Sequence, residues 1–481
     1  MFHFFYFRRK FCMNNVLVRI KNIEISNFKN TKHGYVDLEN KKSQFRSSVL
    51  ALYGQNGSGK TSLINAIELL KNIFTGQKID NSFLDDINVD SESLELKFTF
   101  EVKDIEKKKL YNIFYEVNLT KQEEETTENV INGGSIKTTI KPLICNEKLS
   151  YSYSDQEGNK KKKTILADTS SDKDILLPKN TLLQIIGKND QLKDKLALIK
   201  ELTKNASKSY IFSLEFFKVI EASCCNSELF FAIKSLIKYA YYDLFIITTS
   251  ASARISLDDL PIIFKNVDSS FGTIVINLTQ PSVIPENVCS LLEKVISNMN
   301  IVLRKIVPKL EIGINYLGSE INEKGTVCKR IQIVSKKNSK EIPLKNESEG
   351  IKKIISILHL LISVYNNPSV TVAIDEIDSG IFEYLLGELL KIISERGKGQ
   401  LIFTLHNLRP LETLDASFVA FTTVNPNNRY IRYSNIKRNN NLRHLYYRDI
   451  IVGLSKEPIY ESADNAEVAI AFRKAGLYDE S

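Results

Sequence analysis

Eight residues near the amino end, "GQNGSGKT" from Gly54 to Thr61, constrain this chain more than any other segment. They fit the pattern G-x-x-x-x-G-K-[ST], with a strand-like apolar segment at 47–54 before them and a helix-like amphipathic segment at 62–74 after them. The glycines let successive backbone N–H groups point at a phosphate, and the helix amino end adds positive potential. The alternative is an accidental glycine-rich turn, which the strand before the motif and the helix after it make unfavourable. The predicted nucleotide-binding residues of this P-loop are Gly54, Asn56, Gly57, Ser58, Gly59, Lys60, Thr61 and Ser62.

Two side chains of the loop have expected roles of their own. Lys60 should reach the β- and γ-phosphates and act in catalysis, and Thr61 should ligate Mg²⁺. A second segment, "VAIDEID" at 372–378, reads as a buried strand that delivers acidic residues at its carboxyl end. Ligands bind at that end of parallel strands in open α/β sheets. The pattern predicts a second Mg²⁺ ligand in Asp375 and a general base for the attacking water in Glu376.

The alternative for "VAIDEID" is a strand that ends in a solvated acidic turn, which the P-loop makes less favourable. Asp378 has two open interpretations, a hydrogen bond across a subunit boundary or a helix cap. His406 follows the apolar segment "LIFTL" and is predicted to end the next strand, beside the same phosphate site. We expect a contact between His406 and the γ-phosphate, with a buried structural histidine as the alternative.

Apolar periodicity predicts the rest of the fold in outline, as an α/β chain. Strand patterns cover 16–28, an antiparallel pair at 94–102 and 110–119, and 148–154. The acidic "QEEETTE" at 122–128 and the basic "GNKKKK" at 158–163 are interpreted as hairpin tips. The pattern from about 176 to 300 is mainly helical, with "LFIITT" at 244–249 ambiguous. Later segments are a hairpin at 309–317 and 329–335, a helix at 384–395, a strand at 400–407, strand-like residues 418–435 and a short helical tail.

These segments suggest a division of the chain. Residues 1–12 are interpreted as a disordered tail or a mis-assigned start. The remaining expected units are 13–90, the first half of an ATPase head with the P-loop; 91–170, an antiparallel β subdomain; 171–300, a mainly helical insertion; 301–455, the second half of the head; and 456–481, a tail.

The order of the motifs is a strand, "GQNGSGKT", a long insertion, "NESEGIKK", "AIDEID" and "TLHN". This order resembles the ATP-binding-cassette ATPase superfamily, its soluble SMC/RecF-type heads, and most closely the AAA-type ATPases of the overcoming-lysogenization-defect (OLD) group. The segment "IKNIEISNFKN" and Asn56 favour this branch, and the resemblance covers 17–75 and 340–410. It implies a P-loop NTPase fold with an ABC-ATPase-like head, in which helices flank a mixed central sheet, plus an antiparallel β subdomain and a large helical insertion.

In such ATPases a Ser-x-Gly signature contacts the γ-phosphate of ATP bound to the other protomer. The resemblance places Ser348 and Gly350 at those positions, and Lys353 where RecF-like proteins have a basic residue. A serine hydroxyl, a glycine that permits close approach and a helix amino end suit this role. The alternative is that Asn346 or Ser348 caps the following helix. The two interpretations are compatible, because a capping residue can also face a phosphate.

The resemblance implies an ATPase that converts ATP to ADP and phosphate with Mg²⁺, using Lys60, Glu376 and His406. It also implies a nucleotide-driven clamp, a homodimer or higher oligomer with ATP between its heads. The first hypothesis for its role is the ATPase component of a bacterial antiphage or abortive-infection system, with a separate protein effector encoded nearby. The alternative is a RecF-like DNA-binding ATPase of repair or recombination. The cassette of a membrane transporter is disfavoured.

Composition limits the partners and the location. The net charge of +8 permits contact with DNA, and the basic, aromatic residues 428–450 either touch nucleic acid or pack on the head. Arg409 and Arg443 are the first candidates for such a contact. Six cysteines without a C-x-x-C pair indicate reduced thiols and a cytoplasmic protein. No apolar run approaches the ~18–20 residues of a membrane-spanning helix, so we expect no membrane partner.

Overall fold

The computed structural model describes residues 16–40, 47–128, 135–155, 157–223, 227–248, 259–265, 271–321, 325–337, 340–433, 441–453 and 455–476. The expected disordered or mis-assigned start at 1–12 lies outside these residues.

The described strands and helices follow the chain in a mixed order. The strands are β1 (Val16–Phe28), β2 (Thr31–Asp37), β3 (Ser48–Tyr53), β4 (Ser93–Asp104), β5 (Lys109–Glu128), β6 (Ser135–Asp155), β7 (Lys160–Asp168), β8 (Leu244–Ile247), β9 (Asp259–Lys265), β10 (Phe271–Asn277), β11 (Ser282–Pro285), β12 (Glu311–Ile321), β13 (Val327–Lys337), β14 (Lys340–Pro343), β15 (Thr371–Ile374), β16 (Gln400–Thr404), β17 (Val419–Thr422) and β18 (Tyr430–Ile431). The helices are α1 (Lys60–Phe74), α2 (Lys179–Ile186), α3 (Asp190–Asn205), α4 (Leu214–Ser223), α5 (Ser227–Tyr242), α6 (Glu286–Ile306), α7 (Glu349–Asn366), α8 (Glu383–Arg396), α9 (Pro410–Thr413), α10 (Leu442–Val452) and α11 (Asn465–Gly476).

A six-stranded sheet of order β18-β17-β3-β16-β15-β8 forms the head. Its pairs are parallel except β17–β18, which is antiparallel, so the sheet is mixed as expected. The strands β3, β15 and β16 are buried along their whole length. Runs of apolar residues suit parallel strands that are covered on both faces. The parallel order brings the carboxyl ends of these three neighbours to one edge of the sheet.

A second sheet of order β2-β1-β4-β5-β6-β7 is antiparallel throughout. It includes β1 and β2, which were expected in the first half of the head, so this sheet spans both sides of the expected boundary after residue 90. The acidic 122–128 segment lies inside β5 rather than at a hairpin tip. Gly158 and Asn159 of the basic segment lie in the turn between β6 and β7, as expected for a hairpin tip, whereas Lys160–Lys163 lie inside β7. The backbone hydrogen bonds of β5 with β6, and of β6 with β7, continue beyond the residues that alternate between apolar and polar.

Among its described residues, the expected helical insertion at 171–300 contains the helices α2 to α5, most of α6, and also four strands. The ambiguous "LFII" is β8, which pairs in parallel with β15 at the edge of the head sheet. A run of four apolar residues does not distinguish a buried strand from a buried helix by periodicity. The strands β9 and β10 form a hairpin, and β11 joins the sheet of β12, β13 and β14.

The Gln400 side chain joins the two large sheets. It is 1% exposed, its Oε1 accepts from Ile20 N at 2.8 Å, and its Nε2 donates to Ile20 O at 2.7 Å. The amide thus pairs with β1 as another strand would, which satisfies buried backbone groups. Among the helices in the described ranges, none is long and apolar enough to cross a membrane.

Candidate nucleotide-binding site

A cavity of ≈ 430 Å³ opens at the carboxyl edge of β3, β15 and β16. The P-loop follows β3, the acidic residues follow β15, and His406 follows β16. The fold thus brings the P-loop together with two motifs that lie more than 300 residues later in the sequence. The residues that line the cavity are Lys29, Asn30, Asn56, Gly57, Gly59, Lys60, Thr61, Ser62, Asp375, Glu376 and His406.

Gly59 precedes α1 in the left-handed region, at φ 92, and no side chain caps this helix. Tyr430 OH donates to Gly59 O at 2.8 Å, so a side chain of β18 is hydrogen-bonded to the P-loop. A Cβ atom on Gly59 would also lie 3.0 Å from Thr31 Oγ1. The amino end of α1 thus has no side-chain cap, and its residues Lys60, Thr61 and Ser62 line the cavity. Uncapped helix amino ends of this kind bind phosphate through their backbone N–H groups.

The ammonium group of Lys60 lies on its own loop. Its Nζ donates to Gly54 O at 2.7 Å and to Gln55 O at 3.1 Å. Burial lowers the pKa of Lys60, and the nearby carboxylates of Asp375 and Glu376 oppose that shift. The side chain reaches the cavity wall, where a phosphate oxygen can compete with the two carbonyl oxygens for its protons.

Asp375 is 2% exposed and its carboxylate meets two hydroxyl groups. Thr404 Oγ1 donates to Asp375 Oδ1 at 2.6 Å, and Thr61 Oγ1 lies 3.4 Å from the same oxygen. Hard cations such as Mg²⁺ prefer oxygen ligands of this kind. The oxygens of Thr61 and Asp375 that meet at the cavity therefore fit a Mg²⁺ ion. The described ranges contain no cluster of three or more His, Cys, Asp and Glu residues that could hold a metal ion.

Glu376 and His406 face each other across the cavity mouth. His406 Nε2 lies 4.0 Å from Glu376 Oε1, and the two side chains are 45% and 44% exposed. Both remain open to a ligand and to water. Contrary to the prediction, His406 lies two residues beyond β16, which ends at Thr404. Asp378 Oδ2 accepts from His406 N at 2.8 Å and from Asn407 N at 2.6 Å, within one chain.

Ser348 is the N-cap of α7, and its Oγ accepts from Ile351 N at 3.4 Å. The capping alternative is therefore observed for Ser348, whereas Asn346 lies in a preceding 3₁₀ turn. Ser348 is exposed. Four predicted nucleotide-binding residues lie outside the described lining of the cavity: Gly54, Ser58, Ser348 and Gly350.

Lys29 and Asn30 also line the cavity, although neither is among the predicted site residues. Lys29 Nζ lies 3.2 Å from Asp86 Oδ1, and Asn30 Nδ2 donates to Gly57 O. They occupy the turn between β1 and β2, and Lys29 has φ 51. The segment "SNFKN" was available as a signal, but the contact of this turn with the P-loop depends on how two sheets meet.

The two arginines suggested for nucleic acid both pair with one carboxylate. Arg443 Nη1 lies 2.7 Å from Glu412 Oε1, and Arg409 Nη1 pairs with Glu412 Oε2. These bonds lower the pKa of Glu412. Within 428–450, the described residues form β18 and α10, and Tyr446 of α10 is buried against the head. Residues 434–440 lie outside the described part.

A family model described as an AAA ATPase domain matches residues 19–409. No curated protein matches the chain. Among solved structures, the chain is similar to the Smc head domain of Pyrococcus furiosus bound to the C-terminal domain of ScpA, at 12% identity and TM-score 0.38, over 87% of this chain and 97% of that one. The SMC head domain from Thermotoga maritima is similar at 14% identity and TM-score 0.35, over 87% and 100%. The recombination mediator protein RecF of the RecFOR pathway is similar at 14% and 0.31, over 81% and 93%.

Proposed function

This chain belongs to the AAA ATPase domain family and is therefore an ATPase, and we propose that Glu376 is the general base of its hydrolysis reaction. The observation that carries this proposal is the position of Glu376. Its carboxylate is 44% exposed, lines the cavity with Lys60 and Thr61, and lies beside His406. A general base must reach both water and the phosphate site, and this side chain can reach both.

The P-loop supplies binding in this proposal. Backbone N–H groups at the start of α1 hold the β-phosphate, and Lys60 exchanges its two carbonyl partners for phosphate oxygens. Thr61 and Asp375 hold Mg²⁺, which when bound would neutralise part of the phosphate charge. Lys29 adds a second cation at the cavity wall.

Glu376 then accepts a proton from water, and His406 contacts the γ-phosphate from the opposite side. The 4.0 Å between their side chains leaves each free to bind a different partner. The backbone at His406 is kept in place by the two hydrogen bonds to Asp378. These roles use only groups that already lie at the cavity.

We further propose that two copies close with ATP between them. Ser348 is exposed at the amino end of α7 and lies outside the cavity of its own chain. A hydroxyl and a positive helix end in that position suit the γ-phosphate of a second copy. ATP would then drive a two-state element, a clamp that closes on binding and opens after hydrolysis.

The clamp is proposed to control a separate protein effector in an antiphage or abortive-infection system. A DNA-binding ATPase of the RecF kind is the second candidate, favoured by the net charge of +8. The pairing of Arg409 and Arg443 with Glu412 lowers the charge that those residues offer to a phosphate backbone.

The test compares Glu376→Gln with the control Glu395→Gln, which changes an exposed carboxylate on α8. We expect Glu376→Gln to bind ATP normally, to lose at least about 100-fold in kcat, and to accumulate dimers that light scattering detects. Lys60→Ala should bind no ATP and should therefore not form the dimer that closes around ATP. Wild-type turnover by Glu376→Gln would remove Glu376 as the base, and ATP-bound monomers would refute the clamp. Stimulation of turnover by duplex DNA would favour the second candidate.

A further inference from the structure

Glu376 has an unusual backbone conformation for a residue with a side chain. Its φ is 50, in the left-handed region that favours glycine. Such a conformation persists only where the surroundings hold it, and it is frequent at functional sites. Both polar groups of this residue's backbone have side-chain partners, on two different elements.

Thr404, at the end of β16, is the first partner. Its Oγ1 accepts from Glu376 N at 2.7 Å and donates to Asp375 Oδ1 at 2.6 Å. The side chain is fully buried, and Thr404 O accepts from Ile377 N at 3.1 Å. One hydroxyl group therefore orients the carboxylate of Asp375 and the backbone of Glu376 together.

Lys353, on the second turn of α7, is the other partner. Its Nζ donates to Glu376 O at 3.0 Å, and the residue is only 4% exposed. Burial lowers the pKa of Lys353 to about 8, opposed by the carboxylates of Asp378, Glu376 and Asp375. A buried ammonium group needs such partners, so its position is well determined.

The same helix touches the acidic loop at a second place. A Cβ atom on Gly350 would lie 2.3 Å from Gly380 O, so the two backbones pack directly. Ser348 caps α7, whereas Gly350 and Lys353 lie in its first two turns and contact the loop that follows β15. A displacement at the amino end of α7 would be transmitted to Glu376 through this contact and the lysine.

We propose that Thr404 and Lys353 are positioning residues that hold Glu376 in its left-handed conformation, and that Lys353 links α7 to the base. This inference rests on the proposed role of Glu376 as the base. Neither residue lines the cavity, so neither acts through direct contact with the nucleotide. Lys353 acts through Glu376, and Thr404 acts through Glu376 and its neighbour Asp375. Their loss should change the rate of the chemical step more than it changes the binding of ATP.

The experiment uses two pairs of variants in the full chain. Thr404→Val keeps the shape of the side chain and removes both hydrogen bonds, whereas Thr404→Ser keeps the hydroxyl. Lys353→Met removes the ammonium group, and Lys352→Met is its control. Lys352 is a neighbour on the same helix, 8% exposed, and its Nζ lies 2.5 Å from Glu349 Oε1.

We expect Thr404→Val and Lys353→Met to lose about 10- to 100-fold in kcat, because small misplacements of a reacting group have effects of that size. The affinity for ATP should change by less than about threefold, since the P-loop is untouched. Thr404→Ser and Lys352→Met should retain kcat within about threefold of the wild type. Thermal unfolding of each variant shows whether a loss of activity comes from a loss of folding or from a displaced Glu376.

The outcomes distinguish this inference from the proposal on which it rests. If Glu376→Gln is inactive while Thr404→Val and Lys353→Met turn over as the wild type does, the positioning role is refuted and the base remains. Equal losses in Thr404→Ser and Thr404→Val would assign the effect to packing and also refute it. Wild-type turnover by Glu376→Gln would overturn the base and this inference together. If Thr404→Val fails to fold, the lysine pair provides the test. A lower kcat in Lys353→Met than in Lys352→Met supports the positioning role, and equal kcat values refute it.

Discussion

Gly350 and Gly380 meet backbone to backbone, where α7 touches the loop that carries Glu376. A Cβ atom on Gly350 would lie 2.3 Å from Gly380 O, and Gly380 itself has φ 77. The atom in the way is a backbone oxygen, which cannot rotate aside as a flexible side chain can. The close approach is therefore a requirement of the single chain, separate from any contact with a second copy.

We expect Gly350→Ala to push α7 away from the loop. Overpacking of this kind costs about 1–3 kcal/mol of unfolding free energy, and turnover should fall because Lys353 moves with the helix. Denaturant unfolding and ATPase rates measure the two effects. The control is Gly476→Ala at the end of α11, where the described surroundings leave open space for a Cβ atom. Wild-type stability and turnover in Gly350→Ala would show that the contact tolerates a methyl group.

Ser348 offers a way to separate capping from action on a second copy. Ser348→Ala removes the cap and should cost about 1 kcal/mol of unfolding free energy, whereas Ser348→Asn preserves a capping side chain. If the hydroxyl also contacts ATP of a partner, Ser348→Asn should keep its stability, bind ATP and lose dimerisation-dependent hydrolysis. Denaturant unfolding, light scattering with ATP and turnover report the three properties. Intact dimerisation and turnover in Ser348→Arg would leave capping as the sole role of this serine.

His359, inside α7, predicts a dependence of stability on pH. Its Nε2 is buried and meets no hydrogen-bond partner in the part of the chain that the structure describes. Burial lowers the pKa of His359 from 6.5 to about 4. Between these values the unfolded chain binds more protons than the folded one, so the free energy of unfolding falls as the pH falls.

The contribution of His359 should decrease by roughly 2 kcal/mol from pH 7 to pH 5. Urea unfolding of the wild type and of His359→Leu at both pH values measures it, because the leucine variant should lack this part of the change. His33→Gln, at an exposed histidine of β2, is the control and should follow the wild type. Identical pH slopes for the wild type and His359→Leu would contradict the assignment.

The placement of residues at the cavity could be predicted from sequence where it depends on short motifs that follow strands. The P-loop, Asp375 and Glu376 each follow a buried strand, and His406 follows another, so the topology of a parallel sheet is enough to bring them together. Asn30 and Thr404 could not be found in this way. Their contacts with Gly57, Asp375 and Glu376 depend on the register of one strand against another and on the meeting of two sheets, which no local pattern encodes.

The fold shows the same division between local and distant information. The alternation in 94–102 and 110–119 predicted the antiparallel pair of β4 and β5, and the 3.6-residue period predicted α1. The run at 244–247 remained ambiguous because four buried apolar residues have no period to read. Only its neighbour β15, more than 120 residues later, determines that it is a strand.

The position of β8 has a consequence for any attempt to reduce this protein to a minimal head. Thr371 to Ile374 of β15 pair with β8 on one side and with β16 on the other. A shortened chain that joins the P-loop half directly to the second half, without residues 91–300, would lose β8 and turn β15 into an edge strand. Unpaired apolar edges recruit strands of other molecules. Such a truncated head would retain every nucleotide-binding motif and would be prone to aggregate through the strand that carries Asp375.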